Sequence, residues 1–568
     1  MNSNCRRRPS SRDEDVGKIR SRTPGGDEVT LRLQQRRVDQ TRAKVRIGLF
    51  GDEKRSQQII RSIEGRLGPT APADAAAPRA DGRYARPMHP DETRGAPPQE
   101  PGMIPAPPPP LAPVAESSRI DAIDVVRGFA LLGIFMVNVG MHGDAFGLYF
   151  DPRPPAGSSA TDRFVHYVVK VFCEGKFYPL FSLLFGIGLA IQWQRARAAG
   201  RRLLGTGLRR LAVLSLFGLA HGLLLWYGDI LFIYSIAGLL LLLLIDARPR
   251  TLAIVGACLM GVCGLAGTGL GTLGALETLS REREAAASAQ TGAAEGSAAD
   301  DAAPTDESPD GAESGPKTPI DRALTVFQDP SQMQGVGGPL SSPVWLEAEV
   351  EAYRDGPYTQ ALFFRVVTFV SMLVFCALGF WWNVAAMLLF GAALLKAGLF
   401  EERNAHWHRR FVVVGLSLGI PAGLLYAFLP VIAPPWVYMV AGNVLAMVGG
   451  PLLSIGYLGA ITLIVRSGAA RAATGAIAKV GRMALTNYLL QTVIATGIFY
   501  HWGLGLFGQT TKTERVGIVL AVYAAQIAFS VLWLRFFRFG PMEWLWRTLT
   551  YLRPQPMLRG NRHAGSPS

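Results

Sequence analysis

The sequence is short of charge. Only 18% of its 568 residues are Asp, Glu, Lys or Arg, against roughly a quarter in ordinary soluble domains. Mean hydropathy is +0.22. Both values disfavour a soluble globular protein. Cysteine is scarce as well. Cys5, Cys173, Cys258, Cys263 and Cys376 have no paired metal-ligand spacing and imply no disulfide framework. Cys258 and Cys263 lie inside an apolar run and read as small packing residues. No apolar core of signal-peptide type precedes the first long apolar run, so no cleavable signal is expected. No internal repeat is evident, which disfavours an inverted-repeat transporter.

What the chain does have is a basic excess, 57 Lys and Arg against 43 Asp and Glu. Nucleic-acid binders carry such an excess. Here much of it sits in short loops between apolar segments, where it sets membrane topology. The expected partner is therefore the lipid bilayer, not nucleic acid. Residues 1–118 read as a disordered Arg- and Pro-rich leader closing on "PGMIPAPPPPLAPVAESS", with Met88 and Met103 as alternative starts. Residues 119–276 form the first half of a membrane domain. Residues 277–356 form an acidic, disordered insert, residues 357–553 the second half, and residues 554–568 a disordered tail.

Spanning stretches, each ~17–25 residues long, run over 123–142, 177–194, 211–228, 230–246, 251–273, 380–400, 411–430, 436–464, 483–503 and 515–538. Segment 361–378 reads as an extra helix, re-entrant or on the membrane surface. The predicted fold class is all-α, a polytopic transmembrane helix bundle of about ten spans. Every second loop is basic: Arg195 to Arg210, then Arg248 and Arg250, then Arg403 to Arg410, Arg466 to Arg482, and Arg535 to Arg553. The positive-inside rule then places both termini in the cytoplasm of a bacterial inner membrane and the acidic insert outside.

Polar residues inside the spans mark where chemistry is expected, because lipid cannot satisfy them. In "RIDAIDVVRGFALLGIFMVNVG" a helix turning ~100° per residue puts Arg127 and Asn138 within ~20° of each other. Asp124 and His142 lie ~60° away, so four polar groups share one sector over ~27 Å. His221 lies about two turns from the outer end of "LAVLSLFGLAHGLLLWYGD", and a histidine at that depth is a functional candidate. Asp229 reads first as an N-cap, with Tyr234 one turn further on able to share its hydrogen bonds. In "KVGRMALTNYLLQ", Asn487 and Gln491 share a face with Arg482 at the inner mouth. An interhelical clamp and a polar cavity are equally good readings of the two amides. Lys176 and Tyr178 read as interfacial anchors, and Ser182 with Gly186 as a close-packing pair. Glu543 and Arg547 form an i, i+4 pair on a Trp-rich interfacial helix.

The stretches "DVVRGFALLGIFMVN", "KFYPLFSLLFGIGLAIQ", "RRLAVLSLFGLAHGLLLWYGDILFIYS", "GRMALTNYLLQ" and "GPMEWLWR", in that order, resemble the YeiB-like family of bacterial multi-pass membrane proteins. The family's domain is of unknown function. The resemblance covers about 120–275 and 360–553. At the level of the D-x-x-R-G…N first helix the family is similar to membrane acyltransferases that modify sugars or lipids outside the cytoplasm. In those enzymes a histidine near the outer end of an early helix is the base. His142 and His221 both stand in that region, and His166 lies in the outer loop.

Three functions follow as expectations. The first is acyl transfer to an extracytoplasmic lipid or glycan acceptor from a cytoplasmic thioester such as acyl-CoA. Arg127, Arg209, Arg210 and Arg482 would hold donor phosphates, His221 would be the base, and Asn138, Asn487 or Gln491 would be oxyanion donors. The second is a permease for a small polar or anionic solute, with the same polar stripes lining the path. The third is a non-catalytic scaffold in which the polar faces only join helices. Neither a metal nor a resident cofactor is expected.

Overall fold

The structure, a computed structural model, describes residues 15–22, 28–37, 40–47, 121–295, 318–329 and 338–559. It divides into two units. In the first, β1 (Asp15–Arg22), β2 (Glu28–Arg37) and β3 (Gln40–Ile47) form an antiparallel sheet in the order β1-β2-β3. This corrects the expectation of a wholly disordered leader. The remainder of 1–118 lies outside the described residues.

The second unit is all-α. Each of the ten expected apolar stretches is helical. Their helices are α1 (Asp121–Gly143), α3 (Phe177–Ala198), α4 (Leu204–Leu224), α5 (Leu231–Leu244) and α6 (Pro249–Glu295) in the first half. The second half has α9 (Tyr358–Lys396), α10 (Ala405–Ile432), α11 (Pro435–Ser467), α13 (Ala484–Phe499) and α14 (Lys512–Phe536). Among the described residues, seven helices are long and apolar enough to cross a membrane, and α5 and α13 are shorter apolar helices. The chain is a membrane protein. Between the spans lie α2 (Ala160–Phe172), α7 (Pro319–Thr325), α8 (Pro343–Arg354), α12 (Arg471–Arg482) and α15 (Pro541–Tyr551).

Three expectations need correction. Segment 361–378 is not a separate helix: a π-helical turn at Cys376–Phe380 carries it straight into Trp381–Lys396. The insert is not uniformly disordered, since α6 runs on to Glu295 and α7 and α8 are ordered. In α8 the positions Trp345, Ala348, Glu349 and Ala352 follow an i, i+3, i+4, i+7 pattern and are all buried. The acidic composition of the preceding stretch conceals that pattern. In the tail, Phe537 and Leu558 form an antiparallel bridge, so 554–559 is ordered too.

Glycines let the spans approach to backbone contact. A Cβ on Gly186 of α3 would lie 2.0 Å from the Leu388 carbonyl oxygen of α9, and one on Gly391 would lie 2.0 Å from that of Leu183. The contact is reciprocal. Gly128 of α1 and Gly481 of α12 repeat the arrangement, facing Ile477 O at 2.2 Å and Asp124 O at 1.9 Å. This is small-residue packing, the main attraction between helices once both are in lipid.

Two tests follow. Gly186→Leu and Gly391→Leu should each destabilise the bundle by about 1–3 kcal/mol, the usual cost of overpacking, whereas Gly261→Leu, with open space around it, should not. Apparent melting temperature in detergent reads the difference. The second concerns Glu349, whose carboxyl oxygens accept from Phe146 N at 3.4 and 3.3 Å. Burial pushes this carboxyl up from 4.5 to about 8. A raised folded pKa means that the stabilising contribution is whole below about pH 4.5 and is lost as pH climbs to 8, by at most ~1.4 kcal/mol per pH unit. Glu349→Gln should flatten that slope and gain on the wild type at pH 8, as followed in melting curves across pH 5–8.

Candidate functional site

Gly218 brings α4 against the start of α5, where a Cβ would meet Phe232 N at 2.3 Å and Asp229 Oδ1 at 2.6 Å. His221 lies three residues on, on the same side of α4. Its Nδ1 donates to Asp229 Oδ2 at 2.8 Å, and its Nε2 lies 2.9 Å from Thr492 Oγ1 on α13. With the Nδ1 proton committed to the carboxylate, Nε2 keeps a lone pair and accepts from the threonine. Asp229 Oδ1 accepts from Phe232 N at 2.8 Å. Asp229 is therefore both the expected helix cap and the orienter of the histidine. All three side chains are buried.

His142, from the far end of α1, joins them. Its ring stacks on Trp226 at 3.9 Å, and the edge of Trp226 faces His221 at 6.3 Å. His142 Nδ1 donates to Asn138 O at 2.8 Å, and its buried Nε2 has no hydrogen-bond partner among the described residues. Tyr488 lies 5.2 Å from His221 on another side. Both candidate histidines thus converge where the ends of α1 and α4 and the start of α5 meet the middle of α13. The sequence reading missed Thr492 and Trp226. Thr492 follows Gln491 directly and is a hydroxyl within a span, a signal that was available. Trp226 reads as one more apolar residue until the fold places it between two imidazoles.

Other expected members go elsewhere. Tyr234 does not share Asp229's hydrogen bonds but donates to Tyr178 O at 3.1 Å. Asn487 Nδ2 donates to Ser530 Oγ at 3.0 Å and to Val480 O at 3.2 Å. Gln491 Nε2 donates to Gln526 Oε1 at 3.0 Å, and Gln526 Nε2 donates to Asn487 O at 2.8 Å. The two amides therefore clamp α13 to α14 and are not aimed at the histidine. Asn138 contributes its carbonyl to His142.

At the opposite, arginine-rich end, Arg127 pairs with Asp124 at 3.2 Å, and its Nη2 lies 3.3 Å from where a Gly188 Cβ would stand. Arg210 stacks its guanidinium on Trp546 at 3.7 Å, close enough to Arg127 and Arg547 to feel both charges. Arg482 ends α12, which packs on the first turn of α1 where Gly481 meets Asp124 O. About 16 Å of α4 axis, eleven residues at ~1.5 Å each, separates Arg210 from His221.

Glu543 of α15 departs from its expected i, i+4 role. Its Oε1 accepts from Leu485 N at 2.6 Å and Thr486 N at 3.1 Å, and its Oε2 from Thr486 Oγ1 at 2.6 Å. A carboxylate from one helix thereby caps the positive end of another, α13, which carries Thr492. Glu543→Ala should lower stability by about 1–2 kcal/mol, read as apparent melting temperature, with Glu543→Gln in between.

One turn beyond the histidine a cavity of about 590 Å³ opens between α4, α9 and α13. Leu224, Leu225, Tyr358, Val493, Thr496 and Trp502 line it. Leu225 N hydrogen-bonds to His221 O, and Thr496 is one turn from Thr492. Arg365, wholly buried beside it, donates to Leu224 O at 2.8 Å and sits among the rings of Tyr353, Tyr358, Tyr500 and Trp502.

Comparison with known proteins fits this architecture. A family model described as "Protein of unknown function (DUF418)" matches residues 394–553. The uncharacterized protein YxaH of Bacillus subtilis is 31% identical over 469 residues, covering 79% of this chain and 98% of that one. The uncharacterized protein YeiB of Escherichia coli is 32% identical over 445 residues, covering 77% and 97%. An uncharacterized 39.9 kDa protein in the amylase 3' region of Bacillus acidopullulyticus is 26% identical over 454 residues, covering 79% and 98%. No solved structure matches. With two relatives above 30% identity matched over nearly their whole length, the chain belongs to the YeiB-like, DUF418 family.

Proposed function

We propose that this protein transfers an acyl group from a thioester donor to a hydroxyl on a lipid or glycan acceptor. The observation that supports this reading is the buried Asp229–His221 pair, whose free Nε2 lone pair already accepts from a hydroxyl, that of Thr492. An acceptor hydroxyl taking the place of Thr492 Oγ1 would meet the same lone pair. As its oxygen bonds to the thioester carbonyl carbon, its proton passes to Nε2. The carbon–sulfur bond then breaks, and the thiolate leaves with that proton. Asp229 fixes the tautomer and stabilises the transient imidazolium, the role an acidic orienter plays beside a histidine base.

The two ends of the bundle suit the two substrates. Arg127, Arg210 and Arg547 would hold donor phosphates on the side that the positive-inside rule would make cytoplasmic. The cavity beside Leu225 and Thr496 lies on the outer side, among side chains that face the bilayer, such as Val493 and Trp502. An acceptor with an apolar tail could approach His221 from there without crossing the bundle.

The test uses the full chain in nanodiscs with radiolabelled acyl-coenzyme A thioesters and a bacterial lipid extract. The expected result is a labelled lipid or glycolipid, with the rate cut about 10²–10⁴-fold in His221→Ala. Asp229→Asn should lose rate while the chain remains folded. Absence of acyl product with every donor class, together with solute flux in proteoliposomes, would replace this reading with a permease.

A further inference from the structure

At the end of the bundle away from the arginine-rich loops, the dyad is closed off from water. Trp226, Tyr227, Trp345, Tyr353, Tyr500 and Phe507 pack there in one cluster, each at most 1% exposed. Trp345 and Tyr353 come from α8, so the insert forms part of this cover. The cavity of about 590 Å³ beside Leu225 opens in a different direction. Leu224, Val493, Tyr358 and Trp502 in its wall are 40–53% exposed. In a membrane bundle, half-exposed apolar side chains face lipid, and Tyr and Trp rings mark the headgroup level. A ligand of this cavity therefore arrives through the bilayer.

Arg365 of α9 stands one side chain behind the cavity wall. Its Nη1 donates to Leu224 O at 2.8 Å and to Tyr358 OH at 3.3 Å, and both residues line the cavity. Its guanidinium carbon lies 5.2 Å from the Tyr358 ring and 5.5 Å from that of Trp502. Nε and Nη2 are buried with no hydrogen-bond partner among the described residues. The groups within its electrostatic reach are the phenols of Tyr353 and Tyr500 and the ring of His501, none of them an anion. Glu349 acts on the same two phenols, but its carboxyl, pushed up to about 8, is mostly neutral at pH 7. Among the described residues it forms no ion pair with Arg365. An arginine that merely caps a helix end binds a carbonyl and keeps its other N–H groups in water. Arg365 is 0% exposed, so capping of α4 explains one bond and leaves the charge unanswered.

Cation–π contacts offset part of that desolvation, but a buried charge without an anion remains costly. Its pull on an anion is weakly screened in apolar surroundings. We propose that the cavity binds an anionic lipid, its charged headgroup drawn to Arg365 and its chains leaving past Val493 into the bilayer. The apolar wall and the lipid-facing mouth favour an amphiphile over a free oxyanion. His501 lines the same cavity, and its buried Nδ1, without a hydrogen-bond partner among the described residues, offers the headgroup a polar contact. The volume takes roughly twenty water-sized groups of ~30 Å³, room for a headgroup and the first part of a chain. For its functional meaning this rests on the acyl-transfer reading and names the acceptor, whose hydroxyl would lie about one turn from His221. The binding itself requires no chemistry.

The test reads binding in the absence of any acyl donor. The full chain in maltoside micelles is mixed with equal amounts of phosphatidylglycerol and a neutral glucosyl diacylglycerol of the same chains. Native mass spectrometry counts the lipid retained. The expected result is one phosphatidylglycerol per chain, preferred about tenfold, the effect of one charge-assisted hydrogen bond. Arg365→Gln should abolish the preference. Val493→Trp, which fills the cavity from its lipid-facing side, should abolish retention. Should Arg365→Gln fail to fold, Val493→Trp at its half-exposed position decides. Equal retention of both lipids by the wild type overturns the proposal, as does a preference that either variant keeps. Displacement of the lipid by inorganic phosphate at constant ionic strength also overturns it, since the ligand would then be a soluble oxyanion. Failure here leaves the dyad and its acyl-transfer test untouched, because neither donor nor product is measured.

Discussion

Asp229 is a carboxylate with almost no water to solvate it, and the site around it follows from that constraint. In the interior of a membrane bundle each polar atom must be satisfied by another polypeptide group. Asp229 takes one donor from the backbone of its own helix and the other from His221. That second bond fixes the imidazole's tautomer and, through Nε2, ties α4 to Thr492 on α13. Glycine at 218 is what lets the two helices come close enough for the pair to form.

The same constraint organises the rest of the bundle. Glu543 reaches from α15 to the backbone donors that open α13. Arg515 donates to Gly143 O and pairs with Asp144 where α1 ends. Tyr523 OH donates to Gly128 O at 2.7 Å, joining α14 to the first span. Each is a polar side chain of one helix answering a polar group of another. Because lipid gives helices no hydrophobic reason to associate, such bonds and the glycine contacts carry more of the specificity than they would in water.

The two lysines at 170 and 176 and the dyad at 221 are different solutions to burial. In the dyad the carboxylate and the imidazole answer each other through one short bond. The lysines donate to carbonyls, stand over the Tyr426 ring and are answered at longer range by the Glu174 carboxylate.

The helical class was legible because apolar runs of membrane length have few other interpretations, but of the ten stretches expected to span, seven helices among the described residues have the length and apolarity to cross. His221 stood out because a histidine is costly at that depth. The helical end of the insert was hidden by acidic composition, although Trp345, Ala348 and Ala352 already had helical spacing. The roles of Asn487, Gln491 and Glu543 were not legible. An amide's face can be read from its number in the chain, but Ser530 and Gln526 lie 43 and 35 residues away on another helix. The sequence by itself therefore determined which segments enter the membrane and which of their residues are too polar to face it. Only the tertiary structure decided which polar groups meet, because a hydrogen bond depends on ångström-scale approach between helices, and hydropathy and periodicity carry no information about that distance.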